Sequence, residues 1–167
     1  GNFDFIMLSA HIRWGSGTTA RITPLKLLAD WVHKRSREKH VIDKDWIVVG
    51  DFNIPSTDSP LFKAVAGKGL TLPRALANIA HKAAASNLGR NKRYDQILHQ
   101  STESFSLTGK AGVLDFYAGD WRALFPVNEF PNLTKAKFTY EISDHLPLWV
   151  ELNLRVDEET LDQILKD

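Results

Sequence analysis

Trp46-Ile47-Val48-Val49-Gly50-Asp51-Phe52-Asn53 decides how the rest of the chain is read. Four apolar residues run without alternation into Gly-Asp-Phe-Asn. A β-rich run with no polar gap predicts a strand buried on both faces. Gly50 permits backbone conformations that other residues avoid, so the strand can break sharply there. Asp51 and Asn53 then fall at the carboxyl end of a rigid strand, where open α/β sheets place their ligand crevice. A carboxylate and an amide oxygen are hard donors, suited to a divalent cation and an activated water. The same tetrapeptide has the composition of a turn, since Asp and Asn bond their own backbone and tolerate left-handed geometry. Taken by itself it leaves both readings open.

The 167 residues suffice for one domain with a real core. A hydrophobic content of 43% with 25% charged residues is that of a soluble globular protein. Lys+Arg 21 against Asp+Glu 20 excludes the strongly basic balance of a dedicated nucleic-acid binder, so any phosphate-binding surface must be local. With Cys 0 there are no disulfides or thiolate metal sites, which favours a cytoplasmic, reducing compartment. No apolar run is long enough to span a bilayer. No internal repeat, low-complexity segment or linker divides residues 1–167.

Phe3 to Ala10 reads as a second buried strand with a solid apolar centre, and His11 follows it. Gly15, Gly17, Thr18 and Thr19 make the next stretch a loop. Thr23-Pro24 predicts a helix start, Thr as N-cap and Pro at the first helical position, with the helix ending near Lys39. Its predicted apolar face is Leu27, Leu28, Trp31 and Val32. Ser59-Pro60 starts a short helix stopped by Gly67. Arg74 to Ala85 is helical by propensity, yet Pro73, Asn87 and Gly89 punctuate the segment as a loop, and both readings stay open. Arg93 to Leu98 alternates as a strand. Ser104 to Thr108 and Val113 to Tyr117 are candidate short strands, and Asp120 to Phe125 a helical turn. Leu148 to Leu154 alternates as a strand with one wet face. Asp157, Glu158 and Glu159 cap a terminal helix with a stripe of Leu161, Ile164 and Leu165.

Reactive residues therefore gather at strand termini: His11, Asp51, Asn53, Asp95 and the pair Asp144-His145. Preorganised sites are built in this way. His11 taken singly reads as a surface residue, Asp95 as a strand-edge charge and Asp144 as a turn former; their joint order favours function. Arg13, Arg21, Lys92 and Arg93 read as solvated surface in preference to phosphate clamps. Trp14 and Trp121 read as partly buried packing in preference to stacking platforms.

Gly50-Asp51-Phe52-Asn53, Tyr94-Asp95-Gln96-Ile97, Ser143-Asp144-His145 and His11 after a strand together resemble the endonuclease/exonuclease/phosphatase superfamily, the DNase I-like metal-dependent phosphodiesterases. The motifs cover residues 3 to 154. The resemblance implies an α/β fold, a DNase I-like sandwich of two stacked, mostly antiparallel sheets flanked by helices. It implies a divalent-metal-dependent phosphodiester hydrolase, nuclease-like, using Mg²⁺ or Mn²⁺. A phosphatase or lipid-head-group phosphodiesterase is the alternative within the class, because such motifs read the phosphate and not what it carries. Asp51 would orient or deprotonate the attacking water, and Asn53 would hold that water or the phosphate. His145 would stabilise the phosphate or act as acid/base, oriented by Asp95. Asp144 would be a metal-site carboxylate, and His11 would lie near the scissile phosphate.

The same pattern has an earlier half, with an Asn-bearing strand and a Glu that ligates metal. Glu38, Glu103 and Glu141 stand in no matching motif. The expectation is accordingly a partial sandwich lacking its N-terminal part. Weak metal binding and apolar sheet surface around Phe5 to Leu8 and Trp46 to Val49 would follow. Such surface drives self-association into a homo-oligomer, and a non-catalytic, self-associating fragment is the reading from a different class.

Overall fold

Strand β2, Trp46–Asp51, is the spine of the molecule. The computed structural model describes residues 5–15, 17–100 and 106–153. Trp46, Ile47 and Val48 are all buried, as an unbroken apolar run requires when both faces of a strand meet protein. Strand β1, Ile6–Ser9, lies parallel to β2 with Ser9 opposite Val49. Strand β3, Asp95–Gln100, lies antiparallel on the other side and sets Asp95 opposite Asp51. The second sheet is the antiparallel pair β4, Ser106–Val113, and β5, Leu148–Asn153. Among the described residues the architecture is mixed α/β, with two small sheets, one long helix and several short ones.

β1 corrects the expectation of a strand buried throughout. Ile6 and Leu8 pack against the core, while Phe5 and Met7 are exposed. An edge strand with protein on one face has no other place for its alternate side chains. The expectation that Trp46 to Val49 would meet water fails for Trp46, Ile47 and Val48, which are covered.

Helix α1, Thr18–Arg35, starts six residues earlier than Thr23-Pro24 predicts and stops before Lys39. Pro24 sits inside it. Proline lacks an N–H, so the carbonyl of Ala20 forgoes its helical donor. Burial of Arg21, Leu25, Ala29 and Val32 along one stripe outweighs that loss. The predicted face is also rotated: Leu27 and Trp31 are exposed, and Leu25 with Ala29 takes their place. Helix α2, Pro60–Val65, begins as the Ser-Pro pair predicts, with the Ser59 hydroxyl accepting from the Phe62 N–H at 3.2 Å. Its Leu61 and Val65 join Leu25, Val32, Val48 and Leu98 in the core.

Residues 70–90 satisfy both open readings in part. They form helix α3, Arg74–Asn78, a 3-10 turn, His81–Ala84, and then a loop. Strand β4 takes in the first candidate over Ser106 to Thr108 and meets the second only at Val113; Leu114 to Tyr117 form no strand. Gly109, at a φ of +86°, sits where the pairing shifts between Leu107 and Ala111, and that irregularity hides the alternation. Helix α4 is Trp121–Leu124. Helix α5, Lys135–Glu141, arises where no element was expected, capped by the Thr134 hydroxyl and anchored by buried Phe138. The expected terminal helix, like Phe3, Asp4 and Leu154, lies outside the described residues. Among the described residues no helix is long and apolar enough to cross a membrane.

Candidate active site

Gly50 permits the approach that builds the site. Its φ is +136°, and a Cβ there would lie 2.0 Å from the carbonyl oxygen of Ala10. No side chain fits, so β1 and the end of β2 close together only through glycine. Just beyond, the Ala10 N–H donates to the Val49 carbonyl and the Ile12 N–H to the Asp51 carbonyl, which carries His11 to the carboxyl end of β2.

Asp51 is part-buried, and its Oδ1 accepts the Asn53 N–H at 2.8 Å. Asn53 adopts a φ of +54°, which Asn tolerates better than most residues. Its Nδ2 donates to the Ile12 carbonyl at 2.7 Å, and its own carbonyl accepts from Arg21 Nη1 at 2.6 Å. Asn53 is thus a clamp between the loop after β1 and helix α1.

Asp95 and His145 are 50 residues apart in sequence, yet His145 Nδ1 lies 2.7 Å from Asp95 Oδ2. This is the contact that the Asp-His reading requires. The side chains keep only 23% and 29% of their exposure, enough to shelter the pair without excluding water. Burial by itself lowers the pKa of His145, but the charge and hydrogen bond of Asp95, with Asp51 and Asp144 behind them, reverse this and raise it. The Asp51 pKa is raised, by burial first and by repulsion from Asp95, against the Asn53 N–H that lowers it. A cleft of about 530 Å³ opens beside them, walled by Gly50, Phe116, Ser143, Pro147 and Leu148.

Asp51, Asp95 and His145 each offer a donor atom within 4.8 Å of the others. His11 reaches the edge of this group, Nε2 standing 3.5 Å from Asp51 Oδ2 with its side chain largely exposed. Asn53 supports it from beneath. Asp144 is exposed and lines a separate cleft with Thr139 and Tyr140, so its charge reaches His145 but its carboxylate is outside the cluster. Two facing carboxylates with an imidazole beside them are a donor set that fits a cation. Asp51 and the free oxygen of Asp95 would hold it, since the other oxygen is engaged by His145.

Arg21 and Arg93 are not the solvated surface they were read as: both are buried. Arg93 Nη2 donates to the Leu76 carbonyl at 2.8 Å, and burial lowers its pKa. Two supports were missed. Ser86, fully buried, accepts the Asp95 N–H on its hydroxyl and the Leu146 N–H on its carbonyl, so it holds both halves of the Asp-His pair. Asn87 bridges to His145 and turns its own loop by accepting from the N–H groups of Asn91 and Lys92. The Asn87-Leu88-Gly89 turn signal marked this loop, but nothing local indicated its partner. Tyr94 also stacks on the His145 ring, 5.9 Å between centroids at 27°.

No protein-family model and no curated protein matches the chain. Among solved structures it is similar to a mannosyl-6-phosphatase from Bacteroides thetaiotaomicron VPI-5482. The identity is 20% over 90% of this chain and 52% of that one, with a TM-score of 0.52. An endonuclease/exonuclease/phosphatase family protein from Bacteroides thetaiotaomicron is 18% identical over 92% of this chain and 51% of that one. Its TM-score of 0.47 is too loose a superposition to carry weight. The chain spans about half the length of these structures. In fold, the chain resembles the mannosyl-6-phosphatase structure over about half of that structure's length.

Proposed function

We propose that the chain carries the hydrolytic residues of a metal-dependent phosphate-ester hydrolase, nuclease-like in its substrate. The observation that supports this most is the Asp95–His145 pair at 2.7 Å beside Asp51. In-line displacement at phosphorus needs a deprotonated water on one side and positive charge around the equatorial oxygens. Asp51 is positioned as the base: its carboxylate is pinned by the Asn53 N–H, and its raised pKa makes it a stronger proton acceptor than a free aspartate. His145 keeps its proton to higher pH than a free histidine and can donate from Nε2 to a phosphate oxygen or leaving group, because Asp95 holds Nδ1. His11 supplies a second imidazole at the rim. A bound divalent cation would add charge stabilisation to the same oxygens. Asp144, outside the Asp51–Asp95–His145 cluster, acts through its charge, which helps to raise the His145 pKa.

A phosphomonoesterase is the second reading. The solved structure of similar fold is named a phosphatase, and a formal net charge of +1 does not favour a polyanion. The reading also includes a homo-oligomer formed through β1. Among the described residues no further strand pairs with its outer edge, and Met7 is 58% exposed. The test is turnover of DNA, RNA, an inositol phosphate, sphingomyelin and a simple phosphomonoester with Mg²⁺ or Mn²⁺. Loss of the observed activity in Asp51→Asn and His145→Ala supports the assignment. A chain that is inert on the whole panel is the non-catalytic fragment, and the hydrolase reading fails.

A further inference from the structure

A second cleft has His11 in its wall. It has a volume of about 500 Å³ and runs between the loop after β1 and helix α1, lined by His11, Arg13, Trp14, Gly15, Ala20 and Pro24. That size suits a monosaccharide or a single nucleotide. It borders the candidate active site through His11, whose Nε2 stands 3.5 Å from Asp51 Oδ2.

Trp14 gives the cleft its chemistry. It is 57% exposed, an uncommon state for the largest apolar ring, and yet it is firmly held. The Arg21 guanidinium lies over its ring at 4.3 Å from the centroid, and Tyr94 meets it edge-on at 5.6 Å. Arg21 is itself buried and bonded to the Asn53 carbonyl. Tyr94 is the neighbour of Asp95 and stacks on His145. The indole is therefore braced by the same residues that hold the reacting groups. Trp121 is different: it packs tilted against Phe138, 5.4 Å between centroids, within a cluster of rings. An exposed aromatic that costs no further ordering is the economical surface on which to stack a flat face. Exposed Arg13 adds charged donors at the same cleft.

We propose that this cleft is the subsite for the ring of a ring-bearing phosphate ester, with Trp14 as the stacking residue that sets specificity. The shared ligand chemistry is a ring next to a phosphate, as in a sugar phosphate or a nucleotide. The proposal rests on the phosphate-ester reading of the neighbouring site.

The test uses the full chain, wild type, Trp14→Ala and Trp14→Phe. Affinities are measured by calorimetry for glucose 6-phosphate, adenosine monophosphate and methyl phosphate, with and without Mg²⁺. In the wild type at least one ring-bearing ligand should bind more tightly than methyl phosphate. Trp14→Ala should reduce that preference about tenfold or more, and Trp14→Phe should restore most of it. Glucose 6-phosphate or adenosine monophosphate as the responsive ligand identifies the source of the ring. Equal loss for methyl phosphate and the ring-bearing ligands would show that Trp14 only braces Tyr94 and His145, and would overturn the subsite. No preference in the wild type would overturn it too. Ring-dependent binding without turnover of any ester would keep the subsite and remove the hydrolase reading. Turnover with binding indifferent to Trp14 would do the reverse.

Discussion

His145 and Asp51 carry opposite charges but titrate in the same direction. Each has a folded pKa above its ordinary value, 6.5 for the imidazole and 3.8 for the carboxylate. A raised folded pKa contributes stability that is complete below the unfolded pKa and is lost as pH rises through the folded one. For His145 this means that the metal-free protein loses stability as pH climbs above 6.5 through the higher folded value. Asp95→Asn removes the main raising charge and the charged hydrogen bond, so burial should then dominate. Following the His145 ring by NMR in chelator should show its pKa displaced downward in that variant; an unmoved titration would mean that Asp95 does not set it. For Asp51 the sign makes the ionised carboxylate a cost at neutral pH. Asp51→Asn keeps an oxygen for the Asn53 N–H but cannot accept the water proton. Turnover should fall by about 10²–10⁴, while the melting temperature stays equal or rises. A variant that loses activity by unfolding would contradict this.

At the scale of elements, the β1–β2 junction holds the site through Gly50, and helix α1 through Arg21 on the Asn53 carbonyl. Gly50→Ala must place a methyl group against the Ala10 carbonyl at a φ that side chains rarely adopt. We expect destabilisation of about 3 kcal/mol or more, measured by urea unfolding, together with loss of activity. Helix α2 depends on a milder device. Ser59→Ala removes the acceptor of the Phe62 N–H and should cost about 1 kcal/mol. Activity measured well below the unfolding midpoint should be unchanged, because Ser59 lies outside the Asp51–Asp95–His145 cluster. Helix α1 shows the opposite balance, since its buried stripe keeps Pro24 within a continuous helix.

On the scale of the whole molecule, the two sheets divide the chemistry. The three-stranded sheet supplies Asp51 and Asp95 at facing positions, and the loop before β5 supplies His145. Among the described residues, β1 has an unpaired outer edge and an exposed Met7. Sedimentation at low micromolar concentration should show self-association, and Met7→Lys should shift it toward monomer by placing a charge on that strand. A wild-type chain that sediments as a monomer would remove the oligomer from the reading.

Much of the site was legible from local chemistry. The unbroken run from Trp46 to Val49 specified a covered strand, and Gly50-Asp51-Phe52-Asn53 specified its abrupt polar end. Asp95 and His145 were paired by motif alone and meet at 2.7 Å. Helix α2 was legible because its cap is built within four residues. What stayed hidden depends on contacts between distant segments. Ser86 looks like any loop serine until the fold brings Asp95 and Leu146 to it. Arg21 and Arg93 look solvated until carbonyls of Asn53 and Leu76 compensate their burial. Pro24 reads as a helix start until the packing of Leu25, Ala29 and Val32 outweighs one lost hydrogen bond. Residue type and spacing thus determined which groups could react and where strands end. Only the tertiary structure decided which polar groups are buried, because a partner across the fold sets the cost of burial.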